Sequence, residues 1–422
     1  MHRLSTLPIA LAACLSTSAH GQTFEVVLME GDFVPGAGTA GFFYDLAIDD
    51  QGGYLVEVDL DEDPGFGPMA LVSSEGVAMS MGMTLAEPPG AVMGFPTSFG
   101  RTSTGGALVH TSLTPAGGFQ TEGLYLDGLL FALLDEPAYL RWTAPGTVWD
   151  DMVDVSVGPN DHVLASVELL IGGVFPTKNA LVAWEVEEGA LVDGRVLVAE
   201  DDVPWGAVGG FSSFGPTKFG SAQRGGGGHT MFGATLKAPQ PSSSNEVVCL
   251  NRRIVAQEGQ PAPVAGKIWD DSLSVARMDV NPTGDWALLS RLAFGGDDDH
   301  LLVKNGQAFV QQGDSLPAIA PHALLGFSAS SFIARDWIQM TNDGRVFWSG
   351  YWGEPGSFSE SGLFLDEALI VTPGVPLGEY TLGPLVPETY RISNNGRWVL
   401  FHAALLGSGP TKRAVVRVDL GA

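Results

Sequence analysis

The segments FEVVLMEGDFVP (residues 24–35) and RAVVRVDL (residues 413–420) decide the fold, because each is half of a unit that the rest of the chain repeats whole. The repeated unit is an apolar hairpin running into a proline-bearing loop: GLYLDGLLFALLDEP, LVDGRVLVAEDDVP, VVCLNRRIVAQEGQPAP, LLVKNGQAFVQQGDSLP and GLFLDEALIVTPGVP, with MALVSSEGVAMSMGMTLAEP as a variant. Asp-Gly and Asn-Gly at the tips supply the positive φ angles that two-residue hairpin turns require. Residues 24–35 are the second half of such a hairpin and residues 413–420 the first half. Joined, they complete one more copy. The closing prolines Pro35, Pro88, Pro137, Pro204, Pro263, Pro317 and Pro376 are spaced by about 49 to 67 residues, the range of four-stranded propeller blades.

A second hairpin alternates with the first, built on a tight glycine turn: YDLAIDDQGGYLVEVDL, VDVSVGPNDHVLASVEL, ARMDVNPTGDWALLSRL, WIQMTNDGRVFWSGYW and TYRISNNGRWVLFHAAL, with looser copies from Phe99 and Phe219. Seven copies of two hairpins predict an all-β, seven-bladed β-propeller with four-stranded blades, its ring closed by pairing of the N-terminal and C-terminal strands. The expected organisation is a signal peptide over 1–21 and a single propeller over 22–422. Its blades fall near 38–90, 91–137, 138–204, 205–263, 264–317, 318–376, and 377–422 plus 22–37. An open solenoid would need polar caps at both ends, and these terminal strands are apolar.

Composition agrees. Charged residues are 16% and hydrophobic ones 45% of the chain, enough apolar side chain for a large core, and 56 glycines with 27 prolines disfavour long helices. A net charge of -27 repels phosphate backbones, so nucleic acid is excluded as a partner. The start MHRLSTLPIALAACLSTSAHGQ has a basic residue, an apolar stretch and small residues before Gln22, the pattern of a secretory signal. Leu11-Ala12-Ala13-Cys14 also fits a bacterial lipobox, which would make Cys14 a lipid anchor. Both readings place the protein outside the cytoplasm, secreted or periplasmic. No later run is long and apolar enough for a membrane span. A monomer is expected, and with Cys249 the one cysteine beyond the signal, no internal disulfide forms.

The turn pattern resembles that of secreted bacterial proteins with tandem NxxGxxAxxA repeats. NPTGDWALLS (residues 281–290) fits it except at the last position, while Ser103xxGly106xxVal109xxSer112, Thr341xxGly344xxPhe347 and Ser393xxGly396xxVal399 fit more loosely. Gly158xxAsp161xxLeu164 lacks the glycine. The resemblance implies a propeller-like repeat protein of unassigned role.

In a blade of strands a to d, the b-to-c and d-to-a connections leave on one face. Here they are the long ones, among them TPAGGFQTEG, IGGVFPTKN and YWGEPGSFSES, so this face is the expected working face. On it Trp149-Asp150-Asp151 and Trp269-Asp270-Asp271 recur before strand a, with Trp205, Tyr351 and Trp352 in neighbouring segments. Indole faces beside carboxylates suit sugar binding; blade packing for the tryptophans and turn capping for the aspartates is the plainer reading. The loops holding Asp59, Asp61 and Asp63, and Asp297, Asp298 and Asp299, offer oxygens of the kind calcium takes, without EF-hand spacing. No other cofactor is expected. Strand a also carries Asp45, Asp154, Arg277, Asp279, Arg335 and Arg391, charges that must find partners between blades.

Zinc, nucleophile-elbow and phosphate-loop motifs are missing. The expectation is therefore a noncatalytic extracytoplasmic binding or interaction module, not an enzyme, contacting protein or polysaccharide through the long-loop face. The alternatives are a carbohydrate-active propeller hydrolase or lyase working through Asp150, Asp151, Asp270 or Asp271, and a structural subunit of an envelope assembly.

Overall fold

The computed structural model describes residues 22–421 and the short strand Ser16–Thr17, apart from residues 61–66, 142, 159–160, 174, 206, 208, 214–222, 226–227, 238, 271–272, 274–276, 294–298, 328–337 and 354–359. Alternating apolar strands separated by glycine turns fold into seven antiparallel sheets, the blades of a propeller. Blades 1 to 6 occupy residues 42–80, 92–133, 148–199, 211–257, 277–311 and 324–371. Blade 7 combines residues 376–419 with the N-terminal strand Thr23–Met29, which lies against Lys412–Asp419 with Thr23 opposite Asp419 and Phe24 opposite Val418. The ring closes as the two half-hairpins predict. In blades 4 and 6 the innermost strand is in two pieces, Phe211–Ser213 with Gln223–Gly225, and Leu324–Phe327 with Ile338–Met340.

The two middle strands of a blade bury both faces because the core lies between blades, while outermost strands such as Leu129–Leu133 and Gln307–Gln311 stay partly open to solvent. Among the described residues the apolar side chains form seven clusters, each drawn from two neighbouring blades. The N-terminal strand serves two of them: Phe24 enters the seam of blades 6 and 7, Val27 and Leu28 that of blades 7 and 1.

The repeat motif has a structural job. Asn281, fully buried, accepts hydrogen bonds at Oδ1 from the backbone N–H groups of Thr283 and Asp285, and its Nδ2 donates to the carbonyl of Thr341 in the next blade. One side chain thus knots its own turn and ties two blades. The glycine three positions on takes positive φ, 88° at Gly284 and 81° at Gly344, where a Cβ would be strained. Blade 2 keeps this geometry one residue earlier than the motif suggests. Thr102, not Ser103, caps the turn, and Gly105 takes the positive φ. In blade 3, Asp161 adopts φ 58° in the glycine's place and accepts from Ser103 of blade 2. Blade 7 reaches blade 1 through Asn395 N–H on Asp50, and blade 2 reaches it through Arg101 on Asp49. Replacing Asn281 with alanine strands two N–H groups and a carbonyl. The variant is expected to be destabilised by about 1–3 kcal/mol, read from urea or thermal melts.

Three of the innermost-strand charges, Arg391, Asp45 and Asp279, find partners across seams. Arg391 of blade 7 donates to Asp45 of blade 1 at 2.6 Å, and Asp279 of blade 5 accepts from Met340 N–H of blade 6 at 2.7 Å. Arg335 and the Asp154 side chain lie outside the described residues.

His402, wholly buried beside Phe43, has its pKa lowered from 6.5 to about 3 by burial and then by the charge of Arg391. Above 6.5 the imidazole is neutral folded or unfolded and has no effect. As pH falls from 6.5 toward 3, only the unfolded chain takes up the proton, so stability drops through that window. His402→Leu is expected to flatten the fall in melting temperature between about pH 7 and about pH 4.5, above the range in which ion-paired carboxylates titrate.

Candidate functional site

On the long-loop face, the neighbouring ends of blades 2 and 3 carry acidic residues whose charges act on one another. In blade 3, Met152 and Val167 point into the seam with blade 2, while Asp151 and its cross-strand partner Glu168 take the other face of the sheet. In blade 2, His110 lies on Ala107–Thr114 and Glu122 begins Thr121–Leu126, opposite Ser112. Alternation puts both on the side of Leu108 and Leu124, whose side chains pack into the cluster shared with blade 3. In blade 3, Asp151 on Val148–Gly158 is the cross-strand partner of Glu168, which in turn faces Asn179 on the third strand. Asp151 is the hub: it feels Glu122 and His110 across the seam and stands beside Glu168 within its own sheet.

A hydrogen-bond chain fixes Glu122. The exposed Thr97 hydroxyl lies 2.7 Å from His110 Nδ1, and His110 Nε2 lies 3.0 Å from Glu122 Oε2. The Thr97 hydroxyl also donates to the His110 backbone carbonyl at 3.1 Å, and the Nε2–H of His110 donates to the Glu122 carboxylate. His110 is 1% exposed, so its ring is held in this orientation.

Burial, then the charge of Glu122, raises the Asp151 pKa above the ordinary aspartate value, against the Met152 N–H and His110, which lower it. Glu168 is likewise raised, by burial first and the charge of Asp151 second, while the Thr177 hydroxyl lowers it. No lysine or arginine is among the charges acting on either carboxyl. Two lysines of blades 3 and 4 are engaged elsewhere: Lys178 with Asp201 at 2.8 Å, and Lys237 with Glu200 at 2.8 Å and Asp201 at 2.6 Å. Neighbouring carboxyls of which some are held above their ordinary pKa are the kind of arrangement that offers an acid beside a base.

Of the residues expected from sequence, Asp151 belongs to this cluster and the exposed Asp150 adjoins it. Trp149 is 4% exposed, with its ring centroid 5.8 Å from that of Trp184, so its face is taken by packing. Trp269 is buried with Leu273 and Met278 in the seam of blades 4 and 5. The two Trp-Asp-Asp repeats stand at equivalent corners of different seams and are not brought together; Asp270 is half-buried and Asp271 lies outside the described residues. Trp205 is exposed at the outer rim, bridged to Arg253 on the outermost strand of blade 4. Tyr351 is half-buried over Gly326, and Trp352 is buried with its Nε1 donating to Glu360.

Of the candidate calcium ligands, Asp61, Asp63, Asp297 and Asp298 lie outside the described residues. Asp59 is fully buried, and Asp299 is occupied by Arg291 at 2.6 Å and His300 at 2.7 Å. Among the described residues no group of three or more His, Cys, Asp or Glu is arranged to hold a metal ion. Nor is any described helix long and apolar enough to cross a membrane.

Sequence reasoning missed His110, Glu122 and Glu168, which lie on different strands and carry no common spacing. It also missed Phe119, 95% exposed, and Phe175, 80% exposed, in the b-to-c loops of blades 2 and 3. A lone aromatic inside a loop of glycine, proline and polar residues was the available signal.

No protein-family model matches the chain, and no curated protein does. Among solved structures it is similar to one described as the Dos1 propeller, at 8% identity over 93% of this chain and 96% of that one, with a TM-score of 0.40. It is also similar to Trypanosoma rangeli sialidase, at 10% identity over 96% of this chain and 57% of that one, with a TM-score of 0.32. A third is Penicillium chrysogenum alpha-L-arabinanase, at 11% identity over 94% and 97%, with a TM-score of 0.30. These findings overturn the expectation of a noncatalytic module that is not an enzyme. Function lives in sites grafted on folds, so regular blades without a short catalytic motif do not by themselves mark a scaffold. At such identities the likeness is one of fold, and what this chain is similar to is the β-propeller.

Proposed function

We propose that the protein is a carbohydrate-active hydrolase whose site is the carboxyl cluster around Asp151, at the edge of blades 2 and 3 on the long-loop face. The observation that carries the reading is Asp151, half-buried, cross-strand partner of Glu168 and within reach of the charge of Glu122, with no lysine or arginine among the charges acting on it. A protonated Asp151 gives its proton to the glycosidic oxygen, and the bond from that oxygen to the anomeric carbon breaks with its electron pair leaving on the oxygen. Water adds to the anomeric carbon, and Glu122, oriented by His110 and Thr97, takes the water's second proton. The positive charge that develops on the sugar ring suits a site of carboxylates. The repeat class, export ahead of Gln22 or lipidation of Cys14, and a polysaccharide partner outside the cytoplasm are consistent parts of the same proposal.

The test is a polysaccharide panel scored for new reducing ends, with Asp151→Asn as the control. Turnover lost in the variant at unchanged melting temperature supports the reading. Absence of turnover on every polymer overturns it.

A further inference from the structure

Blade 3 carries a row of oxygen acceptors across the face that it turns toward blade 4. Leu164, Leu181 and Val198 pack against blade 4 from that face, and alternation along their strands places Glu168, Asn179 and Glu200 on it as well. Asp151 stands opposite Glu168, Glu168 opposite Asn179, and the N–H of Glu200, just past the outermost strand Ala190–Ala199, donates to the Asn179 carbonyl. The row therefore reads Asp151, Glu168, Asn179, Glu200, one residue from each strand, with neighbours about 5 Å apart. Glu168 feels the charges of both Asp151 and Glu200. At the outer end the fold supplies a cation, for Lys237 of blade 4 donates to Glu200 at 2.8 Å. The rest of the row has none: no lysine or arginine is among the charges acting on Asp151 or Glu168. Asn179 Oδ1 is buried and has no hydrogen-bond partner among the described residues. Ser166, two residues from Glu168 on the same face, is 3% exposed, and its Oγ has no such partner either. Acidic residues at a surface are ordinary, but buried polar atoms left unmatched beside them are satisfied when a ligand arrives.

The chemistry of the unmatched atoms narrows the ligand. Carboxylate oxygens and an amide oxygen accept, so their complement donates in several directions and carries positive charge. A sugar hydroxyl meets the first need and not the second. A uronate or a sulfated sugar brings an anion that must be met by arginine or lysine, and here it is repelled. An ammonium has three donors and no acceptor, and Lys237 on Glu200 is an ammonium already seated at this row. A net charge of -27 also draws a cationic polymer toward the protein. From these observations, and resting on the carbohydrate reading above, we propose that the substrate is a polymer of amino sugars with free ammonium groups, one of which is held by Glu168 and Asn179 beside the acid Asp151. Ser166 takes a hydroxyl or a water that enters with it.

The experiment offers the purified full chain chitosan, fully N-acetylated chitin oligosaccharides, xylan and β-glucan at mildly acidic pH, and scores new reducing ends. Binding of chitosan oligosaccharides is measured in parallel by calorimetry. The wild-type protein is compared with Glu168→Gln and Asn179→Ala, each checked for an unchanged melting temperature. Expected is cleavage of chitosan in preference to the acetylated and uncharged polymers, with KM about tenfold higher in Glu168→Gln at near-constant kcat and raised in Asn179→Ala as well. Preferred cleavage of an amine-free polymer would overturn the amino-sugar proposal and leave the hydrolase reading standing. Chitosan cleavage with KM unmoved in both variants would do the same, since the ammonium would then be held elsewhere. Binding of chitosan oligosaccharides that Glu168→Gln weakens, without cleavage of any polymer, would overturn the hydrolase reading and keep the ammonium site. Neither binding nor cleavage removes both.

Discussion

Asp151→Asn is expected to lower kcat about 10²- to 10⁴-fold while leaving the melting temperature at or above that of the wild type. The asymmetry follows from its surroundings. Its proton is the one the leaving oxygen needs, yet its charged form is disfavoured by burial and by Glu122, so an amide of the same shape relieves repulsion when it replaces the acid. The pH profile carries the same signature. An acid whose pKa is raised must be protonated to act, so activity falls as pH rises through that pKa, and the alkaline limb lies above the ordinary aspartate range. Glu122→Gln removes a charge that raises Asp151 and should shift whatever limb remains toward lower pH. A variant as active as the wild type, or a limb that ignores Glu122, would assign the chemistry elsewhere.

The largest loss of stability is expected from Phe24→Ala, at about 3–5 kcal/mol, measured by urea unfolding with the wild type in parallel. Phe24 is 1% exposed, lies opposite Val418, and fills the seam of blades 6 and 7 from the seven-residue strand that the other end of the chain contributes to blade 7. Its removal opens a cavity at the closure of the ring, where no covalent connection holds the strand in place. A half-buried neighbour on the same strand, outside the seam clusters, is the control: Thr23→Ala should move the midpoint little. Equal effects for the two would mean that the closing strand contributes little to the fold.

The propeller was legible because its determinants are local and repeated. Half a hairpin at each end, glycine turns that need positive φ, and prolines at a steady interval each state part of the same period. The small error at blade 2 shows the limit of that reading. Thr102xxGly105 and Ser103xxGly106 are both acceptable as text, and only the hydrogen bonds of the turn choose between them. The candidate site was legible in part. Asp151 was visible because a neighbouring tryptophan and aspartate repeat in another blade. That same repeat was misleading about the tryptophans, whose recurrence reflects the packing of equivalent corners. Glu122, His110 and Glu168 meet Asp151 only through blade docking and strand register, and nothing in their spacing along the chain encodes either.

The pairing of Thr23 with Asp419 also means that the two ends of the chain are neighbours in one sheet. A few flexible residues would span the gap, and fresh ends could then be opened at a narrow turn such as the one after Ser73, far from Asp151 in sequence. A rearranged gene of this kind should yield the same wheel, because the order in which its spokes are synthesised matters less than the fact that every spoke meets two others.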